Sequence, residues 1–392
     1  MNRWWVLANV VLVNVVVTGI AWNYLIMFVP DVIGDLGVPL SSWGTLWSAI
    51  PLGVLLFSAP AGAFGDRFGV RAAMATGLLV AGVSLATRVG ADGLVTLFLS
   101  MAGFGLGLAL VLSSFPKAIA QVFPASELGM ANGFAQAGVG VGIGSATLVA
   151  PWLAGPLGGW RGLSATLAVA SVTLAVVWFA SFRDPLRTTS ATGTDNDAPS
   201  LLEVLRVRQV RLVALCYALY MGGYLGALGY LPTHLSTAQG LSPEAAGALM
   251  SLGPWSFTLG SMLLPTLSDR IGRRRLVYLP GMLIGGLCLF AASNATSGVA
   301  LGIAIAGFGL GTGVVGLLFV MPVESAEVGE RLAASAVGII TAAGFLGGFL
   351  SPLAGMPLVQ WSGPLGFGFW TLCLAASALL ILRVRETGTR KP

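Results

Sequence analysis

The chain has 392 residues, 56% hydrophobic and only 9% charged, with a net charge of +5. Soluble domains carry roughly 25% charged residues, so this chain cannot cover a water-facing surface and must be solvated mostly by lipid. Its apolar runs reach the about 20 residues that a spanning helix needs and lack the strict alternation of barrel strands. The fold class is therefore an all-α membrane protein. Cys216, Cys288 and Cys373 are scattered through apolar runs, which predicts neither a disulfide framework nor a metal site. No cofactor and no nucleic-acid partner is expected.

In chain order the sequence predicts twelve transmembrane helices. In the first half they are Trp4–Pro30, Trp43–Phe64, Ala72–Val89, Gly93–Phe115, Leu128–Ala154 and Gly162–Phe182. In the second they are Leu212–Thr233, Ala245–Leu267, Leu276–Ser293, Val299–Val320, Ala333–Val359 and Leu365–Leu382. The first run follows Arg3, Trp4 and Trp5 and is too long for a signal-peptide core, so it is expected to remain as a span. Between the halves, TTSATGTDNDAPS reads as a polar linker, followed by SLLEVLRVRQV, a candidate short amphipathic helix at the interface. The predicted organisation is a six-helix half over 1–182, a cytoplasmic linker over 183–209 and a second six-helix half over 210–392.

Charge supports this count. Arg3, Arg67, Arg71, Arg183, Arg187, Arg211, Arg270, Arg274, Arg331, Arg385, Arg390 and Lys391 all fall on one side, while the other carries only Arg88 and Arg161. By the positive-inside rule both termini are expected in the cytoplasm of a bacterial or archaeal plasma membrane. The halves also repeat one another. AGFGLG at Ala102–Gly107 recurs at Ala306–Gly311, and Pro51 and Asp66 match Pro254 and Asp269 at an offset of 203.

The most specific motif is GAFGDRFGVR at Gly62–Arg71, with a partial copy, PTLSDRIGRRR, at Pro265–Arg275. The pattern G-x-x-x-D-R-x-G-x-R between spans two and three resembles the major facilitator superfamily, and the resemblance covers the whole chain. It implies two pseudo-symmetric six-helix halves that work by alternating access, with a site near the midplane between them. It also implies gating roles for Asp66, Arg67 and Arg71 and for Asp269, Arg270 and Arg274. In the family the first aspartate meets the start of span eleven, here around Ala333–Ser335. A narrower resemblance lies in FPASELGMANGFAQAGVGVG, Phe123–Gly142. It is similar to a segment of anion-carrying branches, including monocarboxylate, oxalate/formate, cyanate-type, nitrate/nitrite and organic-anion transporters. The arginines that nitrate-type members place in spans two and eight are missing.

Other candidates come from the residues themselves. Lys117 is a cation in an apolar context, aligned with Ser113, Ser114 and Gln121 on one helical face. It lies roughly 36 Å along its span, near the cytoplasmic edge, so a cavity site and a snorkelling lysine are both open. Asn14, Thr18 and Trp22 recur every four residues in span one, as Cys216, Tyr220 and Tyr224 do in span seven. Such stripes suit a central cavity, and Asn14, Thr18, Trp22, Lys117, Gln136, Tyr220 and Tyr224 are the expected substrate-binding residues. His234 is expected in a solvated loop.

The sequence therefore predicts a monomeric transporter, not an enzyme, that moves a small organic or inorganic anion across a lipid bilayer. Efflux of a neutral or cationic hydrophobic compound is one alternative. A non-transporting membrane sensor on the same fold is another.

Overall fold

A computed structural model describes residues 2–124, 127–184, 201–325 and 327–388. Segment 185–200 of the expected linker lies outside the described residues, as do Arg187, Arg390 and Lys391. The first six long helices are α1 (Arg3–Leu36), α2 (Ser42–Phe68), α3 (Val70–Val89), α4 (Leu94–Ala120), α5 (Leu128–Leu157) and α6 (Gly159–Ser181). The next six are α7 (Arg208–Thr237), α8 (Pro243–Ile271), α9 (Arg274–Asn294), α10 (Gly298–Val323), α11 (Gly329–Trp361) and α12 (Gly363–Leu380). Eleven of these are long and apolar enough to span a membrane. The twelfth, α8, is 29 residues long but is diluted by serine, threonine, proline and glycine. Helices thus occupy all twelve expected positions, most of them longer than the apolar runs alone imply.

The chain forms two compact units, Met1–Leu186 with Gly229–Pro254, and Arg187–Leu228 with Trp255–Pro392. In the first unit α2 packs on α4, α4 on α3, α3 on α6, and α1 on α5. Segment Gly229–Pro254 also belongs here: the Trp43 indole donates to the Gly229 carbonyl at 2.8 Å. In the second unit α9 packs on α10 and α12, and α11 on α12. The short helix Leu201–Arg206 docks on the start of α11 by burying Val204 with Val328, Leu332 and Ala336.

Close backbone approach explains the duplicated AGFGLG. A Cβ on Gly107 would lie 2.7 Å from the Gly77 carbonyl oxygen, and one on Gly311 would lie 2.5 Å from that of Gly281. In each half, then, the same glycine seats the fourth span against the third. Lipid offers no hydrophobic gain for bringing apolar helices together, so such small-residue contacts carry the packing.

The α2–α3 turn and its repeat are each closed by a carboxylate from the end of the same half. Asp184, after α6, accepts from the backbone N–H groups of Val70 at 3.0 Å and Arg71 at 3.3 Å. Glu386, after α12, accepts from those of Arg274 at 2.7 Å and Arg275 at 3.1 Å. A helix start leaves four N–H groups without intrahelical partners, and an anion there is favoured by the helix dipole. Gly69 makes the first turn with φ +89°, and a Cβ there would also strike the Asp184 carboxylate.

Helix α1 is not regular. It is π-helical over Asn14–Ala21 and 3-10 over Tyr24–Phe28. The Asn23 side chain donates to the Gly19 carbonyl at 2.8 Å, the acceptor that an α-helix would reserve for the Asn23 backbone N–H. Side-chain competition of this kind breaks the ladder.

Substituting alanine for Asp184 or for Glu386 should lower stability by about 1 kcal/mol each, the usual cost of a lost N-terminal cap. Thermal unfolding in detergent reads this, and unchanged midpoints in both variants would refute the capping role.

Candidate functional site

The charged turns are the best-defined polar constellation. In the first unit the Lys117 ammonium, in the last turn of α4, pairs with the Asp66 carboxylate near the end of α2. Both are open to solvent, Asp66 with 71% of its side chain exposed. Arg71 instead grips α6: its guanidinium donates to the Phe179 carbonyl at 2.7 and 2.5 Å and lies 4.0 Å over the Phe179 ring. Arg67 is exposed and stacks on its neighbour Phe68.

The second unit repeats the theme with more compensation. Arg274 is only 10% exposed and pairs with both Asp269 and Glu324, the latter at 2.7 Å. Thr387 donates to Glu324 at 2.9 Å. Arg275 donates to the Leu382 carbonyl at 2.9 Å, as Arg71 does to Phe179. Arg270 is exposed. Exposed ion pairs are worth about 0–1 kcal/mol, so the Lys117–Asp66 pair is weak and breakable. The Arg274 cluster, partly buried and doubly bonded, is a fixed node.

The α1 candidates divide. Asn14 is fully buried, and its amide donates to the Ala135 carbonyl of α5 at 2.9 Å. Thr18 donates to the Asn14 side chain at 3.2 Å. Both are thus committed to the α1–α5 seam, where Gly19 and Gly142 meet backbone to backbone. Trp22 is half-buried, and Gln136 is exposed on α5 beside Ala135. Lys117 keeps to Asp66.

In α7, Tyr217, Tyr220 and Tyr224 stack in a column with centroids 5.8 and 5.6 Å apart. Phe257 of α8 and Phe308 of α10 each stand 5.7 Å from Tyr224, and Phe319 stands 4.9 Å from Tyr217. Tyr220 and Tyr224 are therefore brought together, inside an aromatic wall of the second unit. Cys216, expected on the same stripe, is buried, and its carbonyl accepts from Ser377 at 2.8 Å.

One expectation needs correction. His234 lies inside α7 and is 6% exposed, because that helix runs to Thr237. Arg88, inside the third expected span, is fully buried in the last turn of α3. Among the described residues no cluster of His, Cys, Asp and Glu could hold a metal ion. Sequence reasoning missed Asp184, Glu386 and Glu324. The signal for the first two was present: they are 202 positions apart, close to the repeat offset.

Comparison with known proteins agrees with this architecture. The sequence profile of the Major Facilitator Superfamily matches residues 11–352. A protein of Mycobacterium tuberculosis described as "Probable nitrate/nitrite transporter NarK2" is 29% identical over 310 residues, 74% of this chain and 72% of that one. A protein of Thermus thermophilus described as "Probable nitrate/nitrite antiporter NarK1" is 28% identical over 368 residues, 85% of this chain and 78% of that one. Among solved structures, a bacterial homologue of the human lysosomal transporter Spinster, inward-facing and unoccupied, superposes with a TM-score of 0.79 at 16% identity. It covers 97% of this chain and 95% of its own. The profile match spans most of the chain, and the fold agrees: this protein belongs to the Major Facilitator Superfamily and is a membrane transporter, not an enzyme.

Proposed function

We propose that this transporter carries a small inorganic anion of the nitrate/nitrite class by alternating access. The observation that carries the reading is the similarity to two curated relatives described as nitrate/nitrite carriers. The FPASELGMANGFAQAGVGVG segment points the same way. On this reading Trp22 and Gln136 of the first unit, and Tyr220 and Tyr224 of the second, are each candidates to meet substrate, while Asn14 and Thr18 hold the α1–α5 seam. Tyrosine hydroxyls and an amide can donate hydrogen bonds to a planar anion, and ring edges carry positive partial charge.

Lys117 then acts in gating. It neutralises Asp66 within its own unit, and the exposed pair can break at little cost during the cycle. Asp269 and Arg274 form the corresponding, firmer contact in the second unit. Arg67 and Arg270 add positive charge to the corresponding turn of each half, which supports a cytoplasmic placement of these turns. A second reading, efflux of a hydrophobic neutral or cationic compound, is favoured by the aromatic wall around Tyr224.

Nitrate or nitrite uptake into proteoliposomes tests the substrate. Uptake that saturates supports the anion reading; transport of lipophilic cations alone would sink it. Lys117→Gln should slow transport several-fold with KM changed less than about twofold, the pattern of a lost step and not of lost ground-state binding. A large rise in KM at constant maximal rate would instead place Lys117 in the substrate site. Tyr224→Ala should do the reverse, raising KM by about tenfold, the equivalent of one hydrogen bond of about 1.4 kcal/mol.

A further inference from the structure

Arg88 is used by no part of the mechanism above. It is also one of only two basic residues at the charge-poor end of the helices. The other, Arg161, is 3.8 Å from the Asp35 carboxylate and lies 4.2 Å from the Trp160 ring. Arg88 has no ion pair among the described residues, although its exposure is 0%.

Its hydrogen bonds can be counted. Nε donates to Ser100 Oγ at 3.3 Å and Nη1 to the Tyr24 hydroxyl at 3.4 Å, both long. Nη2 is buried with no partner. The hydrogens of the neighbouring hydroxyls are already committed. Ser100 gives its hydrogen to the Ser84 carbonyl at 2.6 Å, and Ser164 gives its own to the Trp160 carbonyl at 2.8 Å. The 2.5 Å contact between Tyr24 and Ser164 must then use the Tyr24 hydrogen. Tyr24 and Ser100 each accept one bond from Arg88, and its Nη2 has no protein acceptor among the described residues.

The charge is therefore poorly compensated. A guanidinium does not shed its proton in a protein. Burying an ion is costly unless it is paired, and the rings of Phe104 at 4.9 Å and Tyr24 at 6.0 Å offset only part of that cost. Arg274, similarly buried, has two carboxylates.

We propose that Arg88 is the cationic half of a fixed anion site within the first unit. A small monovalent inorganic anion, held by Nη2, would complete it. Such an ion would hold in place the guanidinium that already joins α3 to the 3-10 turn of α1 through Tyr24 and to α4 through Ser100. The proposed binding lies within the first unit and does not rest on which substrate is transported.

The test uses the full-length protein in detergent, exchanged into sodium gluconate and titrated with sodium bromide at constant ionic strength. Wild type should show a saturable rise in unfolding temperature of at least about 2 °C, and Arg88→Gln should lose it. Crystals grown in bromide should show an anomalous peak within hydrogen-bonding reach of Arg88 Nη2, which holds the proposal open to refutation even if the variant fails to fold. No rise in wild type, an equal rise in Arg88→Gln or with sulfate, or bromide density only elsewhere would overturn it. Nitrate uptake by wild type is scored separately, so failure of the anion-transport reading and failure of this site remain distinct.

Discussion

Lipid cannot hydrogen-bond a stray carbonyl or solvate a stray charge, and every polar feature of this transporter is arranged around that constraint. Apolar helices gain little by leaving lipid for one another, so they need contacts that lipid cannot offer. Glycine pairs supply backbone proximity, as at Gly77 with Gly107 and at Gly281 with Gly311. Single polar side chains supply cross-helix bonds, as from Asn14 to α5 and from Ser377 to α7. Both devices are short-ranged, which is why small residues recur along nearly every helix.

Charges sit where that constraint relaxes. At the arginine-rich end each half closes its third helix with an acid from the end of its sixth, Asp184 in one and Glu386 in the other. The two halves then diverge. The first leaves Asp66 to a solvent-facing lysine, and the second holds Asp269 through an arginine shared with Glu324. The same motif thus yields a loose contact in one unit and a tight one in the other.

The architecture was legible because hydropathy, charge bias and the repeat all reported on lipid exposure, which is a property of composition. The turn motif was legible because its glycines and acids recur at fixed spacing. Partners were harder to read. Lys117 stood out as a charge in an apolar run, but nothing in sequence names Asp66, 51 positions away, as its partner. Arg88 read only as a basic residue at the charge-poor end of its span, because its burial depends on Tyr24 and Phe104 arriving from other helices. The Asn14–Thr18–Trp22 stripe assumed α-helical winding throughout, and the π-helical segment redirects part of it into the α5 seam.

That segment has a further consequence. Changing the winding of a helix in lipid normally strands a carbonyl, and this makes rewinding slow and costly. At Gly19 the carbonyl is already served by the Asn23 amide, which can follow the backbone through a rotation of its own side chain. The junction thus carries a spare donor within the chain itself, one that keeps the Gly19 carbonyl bonded where the regular ladder is broken.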